Sequence, residues 1–327
     1  MKNRRLRIGF VMDPLPRIAI DKDTTFVFML EAQSREHEIF YIDPNDLALH
    51  NGRSEAQLHP VEVRGQQGDH FTLAPPRRES LEALDVLFLR RDPPFDMSFF
   101  FDTHVASMVD RRKTLVVNDP RGLREANEKL YALHFPTLVP ASLVASDIRR
   151  LKEFLAEMGG EMIVKPLDGC GGAGVFHVHQ RDRNLNSILE FATADGRRRI
   201  MAQRYLPEVR TGDKRIILID GEPQGAVLRV PSEEEHRSNL HVGGTASASP
   251  LSPRDVEICR AVAPRLRTDG LIFVGLDVIG DYLTEVNVTS PTGVQEINAL
   301  NGTRIEATMI DWVEQHAPEA SPGGRVD

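Results

Sequence analysis

Residues 163–175 read IVKPLDGCGGAGV, and this stretch carries the strongest local signal in the chain. Lys165 is followed within a few positions by four glycines, namely Gly169, Gly171, Gly172 and Gly174. Glycine backbone can turn its N–H groups toward phosphate oxygens, and a lysine ammonium neutralises part of the phosphate charge. Residues 175–179 then alternate like a strand, whereas a dinucleotide-binding GxGxxG loop requires a helix there, and no Gly-Lys-Ser/Thr closes a Walker loop. The stretch predicts a strand–loop–strand cover over a triphosphate, with a ligand-free glycine-rich hairpin as the alternative.

Residues 275–288, GLDVIGDYLTEVNV, carry a second signal. Glu285 and Asn287 share one face of a strand because side chains alternate along it. Asp277 joins that face if a three-residue connection over 280–282 pairs it with Glu285, whereas a two-residue turn would pair it with Thr284. We favour the three-residue connection. Two carboxylates and an amide oxygen are ligands that Mg²⁺ accepts, so the hairpin predicts a magnesium site, with a solvated polar face as the alternative.

Charged and imidazole side chains on the neighbouring predicted strands give weaker signals. Arg215 follows Gly212-Asp213-Lys214 into a strand, and Arg229 lies on the next strand. Isolated arginines on strands are usually surface charges, but near an anionic substrate they grip carboxylate or phosphate through two hydrogen bonds. His177 and His179 share a strand face and could chelate a metal, yet no third ligand has matching spacing, so we interpret them as structural.

The pattern outward from these motifs predicts an α/β and α+β protein in two parts. Strands and helices alternate over residues 1–120, which favours an open, mostly parallel sheet. Residues 121–316 begin with helices at 121–131 and 146–158, the second capped by Ser146, and continue as antiparallel hairpins. We divide this part into a nucleotide-covering subdomain, about 121–201, and a catalytic subdomain, about 202–316. Residues 317–327 are predicted to be a flexible tail.

Composition limits the function classes. The 327 residues are 41% hydrophobic and 27% charged, which is typical of a globular chain of about two domains. The formal net charge of −8 argues against a general nucleic-acid-binding surface. Two cysteines, Cys170 and Cys259, cannot build a disulfide framework. No apolar run approaches the roughly 18 residues of a membrane helix, and the start lacks a signal-peptide pattern, so we expect a cytoplasmic protein with no membrane partner.

Nine motifs, in order between about residues 6 and 315, resemble the bacterial glutathione synthetases, a family of ATP-grasp ligases. They are Met12–Pro14, Leu30–Gln33, Arg91–Asp96, Asn127–Lys129, Val164–Gly169, Gly212–Arg215, Asp220–Pro223, Gly270–Asp277 and Thr284–Thr292. The resemblance implies an ATP-grasp fold preceded by the parallel-sheet domain. It implies ATP-dependent ligation of γ-glutamylcysteine with glycine through an acyl phosphate, with Mg²⁺, or Mn²⁺ in its place, and a homotetramer.

The resemblance also implies roles for individual residues, by matching motif positions. ATP would be bound by Lys129, Lys165, Gly169, Gly171, Gly172, Gly174, Gln203 and Asp213. The metal would be held by Asp277, Glu285 and Asn287. Arg215 and Arg229 would face the reacting carboxylate and the acyl phosphate. Arg229, Ser290 and Thr292 would bind γ-glutamylcysteine.

One loop departs from the family pattern. Relatives usually carry Arg-Gly-Asn and then Gly-Gly with a basic residue, but this chain has Ser238 and Thr245 at the changed positions. We expect residues 231–249 to form an active-site lid, so the two changes bear on the specificity for glycine as the second substrate. The alternatives are another ATP-grasp carboxylate–amine ligase, a nucleotide-binding module without catalysis, or a kinase-like transferase. The sequence contains neither the His-Arg-Asp nor the Asp-Phe-Gly motif of a protein kinase, which argues against the kinase-like alternative.

Overall fold

The computed structural model of the protein describes residues 4–230 and 245–319, whose strands form three sheets. Most of the predicted lid, including Arg237, Ser238 and Asn239, lies outside the described residues, as do residues 320–327 of the predicted tail. Thr245 is the exposed first residue of a strand. No helix in the described ranges is both long enough and apolar enough to cross a lipid bilayer.

The first sheet has eight strands: β1 (Arg7–Met12), β2 (Glu38–Ile42), β3 (Ala48–His50), β4 (Arg53–Val63), β5 (Phe71–Leu73), β6 (Arg77–Ser80), β7 (Val86–Arg90) and β8 (Leu115–Val117). Strands β2, β1, β7 and β8 are parallel neighbours in that order, and their buried side chains are almost all apolar. Residues 51–78, a polar region to which the sequence pattern assigned no element, supply antiparallel strands at one edge. Two helices belong to this part, α1 (Thr24–Ser34) and α2 (Met97–Ser107).

The second sheet is small and fully antiparallel, in the order β11-β10-β12-β9. Its strands are β9 (Ser142–Ala145), β10 (Glu161–Pro166), β11 (Phe176–His179) and β12 (Ile200–Arg204). Helices α5 (Ile148–Glu157) and α6 (Leu185–Thr193) cover one face and form a core of their own with it. The predicted cap of α5 is wrong: Asp147, rather than Ser146, accepts the backbone N–H groups of Arg149 and Arg150.

The third sheet is also antiparallel, in the order β15-β14-β13-β16-β17. Its strands are β13 (Asp213–Ile219), β14 (Glu222–Val230), β15 (Thr245–Ala248), β16 (Phe273–Ile279) and β17 (Tyr282–Asn287). It packs with α7 (Pro253–Thr268), α8 (Val294–Asn301) and α9 (Ile305–His316). Its core is continuous with that of the first sheet, whereas the second sheet has a separate core. The antiparallel hairpins predicted for the second half are confirmed.

The predicted helix over 121–131 is wrong, because the chain forms two short helices there, α3 (Pro120–Glu125) and α4 (Glu128–Ala132). Ala126 leaves the helical region with φ −98° and ψ 82°. The Asn127 side chain then caps α4 by accepting the N–H groups of Lys129 and Leu130. This restart directs Glu128 and Lys129 toward the glycine loop and the third sheet.

Asn118, directly after β8, joins the first sheet to the third. Its Nδ2 donates to the carbonyls of Phe273 (2.9 Å) and Val288 (2.8 Å), and its Oδ1 accepts from Ile272 and Phe273 N–H at 2.8 Å. One buried amide thus satisfies four backbone groups.

Asn118→Ala is expected to lower the free energy of unfolding by about 3 kcal/mol or more, because buried donors and acceptors would lose their partner. Urea unfolding measures the change. The exposed Asn45 provides a control, since Asn45→Ala should cost no more than about 0.5 kcal/mol. An equal, small effect of both substitutions would show that Asn118 does not hold the sheets together.

Candidate active site

A cleft of about 1290 Å³ lies between the second and third sheets. Its walls come from β10–β12 on one side and from β13, β14, β16 and β17 on the other, and the loop after β1 borders it. Of the site residues predicted from the sequence, most line this cleft: Lys165, Gly171, Gly172, Gly174, Gln203, Asp213, Arg215, Arg229, Asp277, Glu285, Asn287, Ser290 and Thr292. Lys129 and Gly169 lie behind its surface and contact each other.

The β16–β17 hairpin pairs Asp277 with Glu285, as predicted, but by a different turn. Ile279 pairs with Tyr282, so the connection has two residues, not three, and the predicted three-residue connection is wrong. A β-bulge between Asp277 and Val278 shifts the register instead and leaves Thr284 as the extra residue. Its hydroxyl donates to the Asp277 carbonyl at 3.1 Å.

Asp277 is the buried centre of the cluster. Both its oxygens accept from Arg215, Oδ1 from Nε at 2.5 Å and Oδ2 from Nη2 at 3.0 Å. Arg229 Nη2 lies 3.0 Å from Oδ1, and Asn287 Nδ2 donates to Oδ2 at 3.2 Å. Burial alone would raise the pKa of Asp277, but the two guanidinium charges outweigh it and hold the pKa well below its ordinary value. Asp277 is therefore an anion at any pH near neutrality.

Arg229 also pairs with Asp213, whose Oδ2 accepts from Nη2 at 2.6 Å. Within residues 4–230 and 245–319, the buried Nε of Arg229 has no hydrogen-bond acceptor. This guanidinium therefore keeps one buried donor unsatisfied among the described residues. Burial raises the pKa of Asp213 to about 6, because withdrawal from water and the nearby Asp277 charge outweigh the attraction of Arg229.

The raised pKa of Asp213 predicts a pH-dependent contribution to stability. The folded protein binds this proton near pH 6, whereas the unfolded chain binds it near 3.8, so Asp213 adds stability as the pH falls through 6. In urea unfolding, Asp213→Asn should therefore become less stable relative to the parent by about 1 kcal/mol between pH 7 and pH 5. A difference between the two proteins that stays constant over this range would contradict the raised pKa.

Two lysines converge on Glu285 from different elements. Lys165 Nζ, on β10, lies 3.4 Å from Glu285 Oε1, and Lys129 Nζ, on α4, lies 3.7 Å from the same oxygen. Burial lowers the pKa of Lys165, although the Glu285 charge partly offsets this. The contacts connect the second sheet to the third across the floor of the cleft.

The glycine loop joins β10 to β11, so the strand predicted after it is confirmed. Gly171, Gly172 and Gly174 have φ values of 63°, 77° and 73°, which favour glycine over residues with a side chain. Helix α4 fixes the start of the loop, since Asn127 Nδ2 donates to Leu167 O at 2.9 Å and Lys129 Nζ to Gly169 O at 2.6 Å. Gly171, Gly172 and Gly174 line the cleft.

Three of the predicted residues lie at other parts of the cleft. Gln203 is buried on β12, where its Nε2 donates to Ser142 Oγ at 3.0 Å. Ser290 and Thr292 follow β17, and the Thr292 carbonyl accepts from Arg215 Nη1 at 3.2 Å. Thr292 thus lies beside Arg215.

Several residues of the cleft were not predicted from the sequence. Glu128 lines it and accepts from Thr289 Oγ1 at 3.1 Å; burial, aided by the Glu285 charge, raises its pKa. The loop after β1 contributes Arg17 and Lys22. Asp13 belongs to a quoted motif without an assigned role, and its Oδ2 accepts from Asp92 N–H at 2.7 Å. Only the long-range fold places these residues at the site, so local spacing could not reveal them.

The charges of the cluster balance before any ligand binds. Asp213, Asp277, Glu285 and Glu128 face Lys129, Lys165, Arg215 and Arg229. A nucleotide triphosphate adds several negative charges, which a further cation must offset. The donor set suits a hard divalent ion, because Asp277, Glu285 and Asn287 offer only oxygen ligands. Arg215 and Arg229 contact the same Asp277 oxygens, so the two arginines and a bound ion would share them.

Comparisons with known proteins agree with this arrangement. Residues 6–124 match the N-terminal domain, and residues 128–302 the ATP-grasp domain, of prokaryotic glutathione synthetase. The chain is 50% identical to glutathione synthetase of Brucella melitensis biotype 1, over 94% of this chain and 98% of that protein. It is 47% identical to that of Mesorhizobium japonicum, over 95% and 98%. The crystal structure of D-cycloserine synthetase matches over 96% of this chain and 99% of its own, with a TM-score of 0.66 at 15% identity, which shows the fold alone.

The resemblance inferred from the nine motifs is therefore confirmed, as is the predicted fold class. Both domains match in the predicted order, and about half of the residues are shared with these synthetases over nearly the whole length. The chain belongs to the prokaryotic glutathione synthetase family, ATP-dependent carboxylate–amine ligases with the ATP-grasp fold.

Proposed function

We propose that this chain joins the cysteinyl carboxylate of γ-glutamylcysteine to the amine of glycine and releases ADP and phosphate. The observation that carries the proposal is one cleft lined by two arginines, Lys165, three metal-type oxygen ligands and a glycine loop, with Lys129 close behind Glu285. A carboxylate is a poor electrophile, and transfer of the γ-phosphoryl group to it creates an acyl phosphate that an amine can attack.

Lys129, Lys165 and the loop glycines bind the ATP phosphates in this proposal. Lys165 is buried and already close to Glu285, so its ammonium is held in place before the nucleotide arrives. The loop is tied to α4 through Gly169 and Leu167, and its N–H groups close over the phosphates and exclude water. Gln203 and Asp213 also bind ATP in this proposal.

Asp277, Glu285 and Asn287 hold Mg²⁺, or Mn²⁺ in its place, since both ions accept this all-oxygen donor set. When bound, the ion offsets phosphate charge and polarises the transferred phosphoryl group. The carboxylate of Asp277 also keeps Arg215 and Arg229 directed into the cleft. These side chains therefore set the position of the arginines as well as that of the ion.

Arg215 and Arg229 stabilise charge on the substrate. Their planar guanidinium groups fit a carboxylate or acyl phosphate, and the buried Nε of Arg229 has no hydrogen-bond acceptor among the described residues. When the glycine amine attacks, the oxyanion of the tetrahedral intermediate lies where these cationic donors can bind it. Ser290 and Thr292, beside Arg215, bind γ-glutamylcysteine together with Arg229.

Release of phosphate tests this function. The pure protein is incubated with Mg²⁺, ATP and γ-glutamylcysteine, with and without glycine. We expect phosphate release that depends on glycine, and none without γ-glutamylcysteine. Alanine and β-alanine replace glycine in parallel reactions, because Ser238 and Thr245 differ from the family pattern. Faster turnover with another amine would assign a different amino substrate, and no dependence on either amino substrate would contradict the ligase function.

We propose further that the enzyme works in the cytoplasm as a homotetramer, with an N-terminal domain over 1–120 and an ATP-grasp domain over 121–316. The two family matches, 6–124 and 128–302, support the division. Helix α2 supports an oligomer, because its outer face exposes Met97, Phe101 and Met108, each by more than half. Light scattering on the purified protein measures the subunit number.

A further inference from the structure

A cluster of metal-ligating side chains lies on the second sheet, apart from the magnesium ligands. His177 and His179 alternate along β11 and so share a face, and Glu161 on β10 pairs directly with His179. One ligand atom from each of the three residues lies within 4.8 Å of the other two. The strand spacing supplied only the two histidines; the third ligand comes from the neighbouring strand.

We propose that Glu161, His177 and His179 form a binding site for a divalent transition-metal ion of the zinc type. Tetrahedral zinc with bonds of roughly 2.0–2.1 Å places its ligand atoms roughly 3.4 Å apart. Here Glu161 Oε1 lies 2.7 Å from His177 Nε2 and 3.7 Å from His179 Nε2. Small side-chain rotations therefore bring the three atoms to the required spacing, without a change in the backbone.

The three proposed ligands differ in how far they are exposed to solvent. His177 is 11% exposed and stacks on Tyr205, with ring centroids 3.9 Å apart and planes 16° from parallel. His179 and Glu161 are 56% and 40% exposed. The stacked imidazole is held in one orientation, while the open side admits the ion and a water molecule as a fourth ligand.

The ligand chemistry separates this site from the one on β16 and β17. Two imidazoles and one carboxylate favour Zn²⁺, Ni²⁺ or Cu²⁺, whereas the all-oxygen set of Asp277, Glu285 and Asn287 favours Mg²⁺. A zinc-type ion would be retained at the cluster when Mg²⁺ is present in large excess.

Location gives the site a structural consequence. Strands β10 and β11 carry the two ends of the glycine loop, and Glu161 and His179 pair at the end of the hairpin opposite that loop. An ion bound by all three residues cross-links the two strands. His177 and His179 also line the cleft, so the ion would be bound at its edge.

Zinc titration by calorimetry, on the full chain in excess Mg²⁺, tests the site. We expect one tightly bound Zn²⁺ per chain and a higher melting temperature with zinc. His179→Asn and, separately, Glu161→Gln should each weaken binding by at least about tenfold. Both residues are substantially exposed, so the variants should fold, which circular dichroism checks. Bound Co²⁺ should give the visible absorption of a tetrahedral site in the parent and lose it in both variants.

Two controls exclude other zinc ligands. His50 Nδ1 lies 3.8 Å from Glu55 Oε2 on neighbouring strands, a histidine–carboxylate pair to which the described residues add no third ligand, and His50→Asn should leave the titration unchanged. Cys170→Ser removes the exposed thiol of the glycine loop and should also leave it unchanged. Equal zinc affinity of the parent, His179→Asn and Glu161→Gln would overturn the proposal, as would loss of the tight binding in Cys170→Ser. This readout does not depend on ligase activity.

Discussion

Glu285→Gln is expected to lower kcat by about a thousandfold while the protein remains folded. The substitution keeps the size of the side chain but removes a charge that, in our proposal, holds the metal ion and orders Lys165 and Lys129. Loss of the charge stabilisation that such an ion supplies corresponds to about 4 kcal/mol in the transition state. The initial rate of phosphate release at saturating ATP, measured as a function of Mg²⁺ concentration, gives both kcat and the metal requirement.

A matched control lies in the same hairpin. Asp281 is an exposed carboxylate in the two-residue turn, so Asp281→Asn changes the same net charge without touching the cleft. It should retain parental kcat and Mg²⁺ dependence. Near-parental turnover of Glu285→Gln, with an unchanged Mg²⁺ requirement, would remove Glu285 from the metal site.

Asp277 is a less suitable residue for this test. Its carboxylate pairs with Arg215 and Arg229, which are both buried, so Asp277→Ala leaves Arg215 without its carboxylate partner and Arg229 with Asp213 alone. We expect that variant to lose activity and also stability, since an unpaired buried charge is costly. Comparison of its thermal unfolding with that of Glu285→Gln separates the two effects.

Arg215→Lys is expected to lower kcat by about 10²–10³-fold with little change in the KM for ATP. Lysine keeps the charge but cannot make the paired contact of Nε and Nη2 with Asp277 or reach Thr292 O with a third donor. The loss applies to the developing negative charge on the acyl group, where one fixed donor contributes about 3–4 kcal/mol. Steady-state kinetics with ATP and γ-glutamylcysteine varied separately distinguishes kcat from both KM values.

Arg260, an exposed arginine on α7, is the control for this substitution. Arg260→Lys should behave as the parent in every kinetic parameter. An Arg215→Lys enzyme with parental kcat and a raised KM for ATP would move Arg215 from the reacting carboxylate to the nucleotide.

The sequence predicted those parts of the site that depend on local periodicity. The glycine loop between two strands and the shared face of Glu285 and Asn287 follow from alternation along single strands. The pairing of Asp277 with Glu285 was predicted for the wrong reason. The two-residue connection alone would pair Asp277 with Thr284. The bulge at Thr284 restores the pairing with Glu285, and no residue in 275–288 predicts that bulge.

Contacts between distant elements could not be predicted in this way. Glu161 completes the histidine cluster from the strand beside it, and Arg17 reaches the cleft from the loop after β1. The break between α3 and α4 depends on a side-chain cap at Asn127, in a stretch whose residues otherwise favour one helix. In each case the deciding contact does not follow from the spacing of residues along one helix or strand.

An isotope measurement tests the acyl phosphate that the proposed mechanism requires. γ-Glutamylcysteine labelled with ¹⁸O in its cysteinyl carboxylate is turned over with ATP, Mg²⁺ and glycine, and the released phosphate is analysed by mass spectrometry. We expect one ¹⁸O atom in each phosphate, because the attacking carboxylate oxygen leaves with the phosphoryl group when the amine displaces it. Phosphate free of ¹⁸O, formed at the same rate as the peptide product, would contradict carboxylate phosphorylation in this cleft.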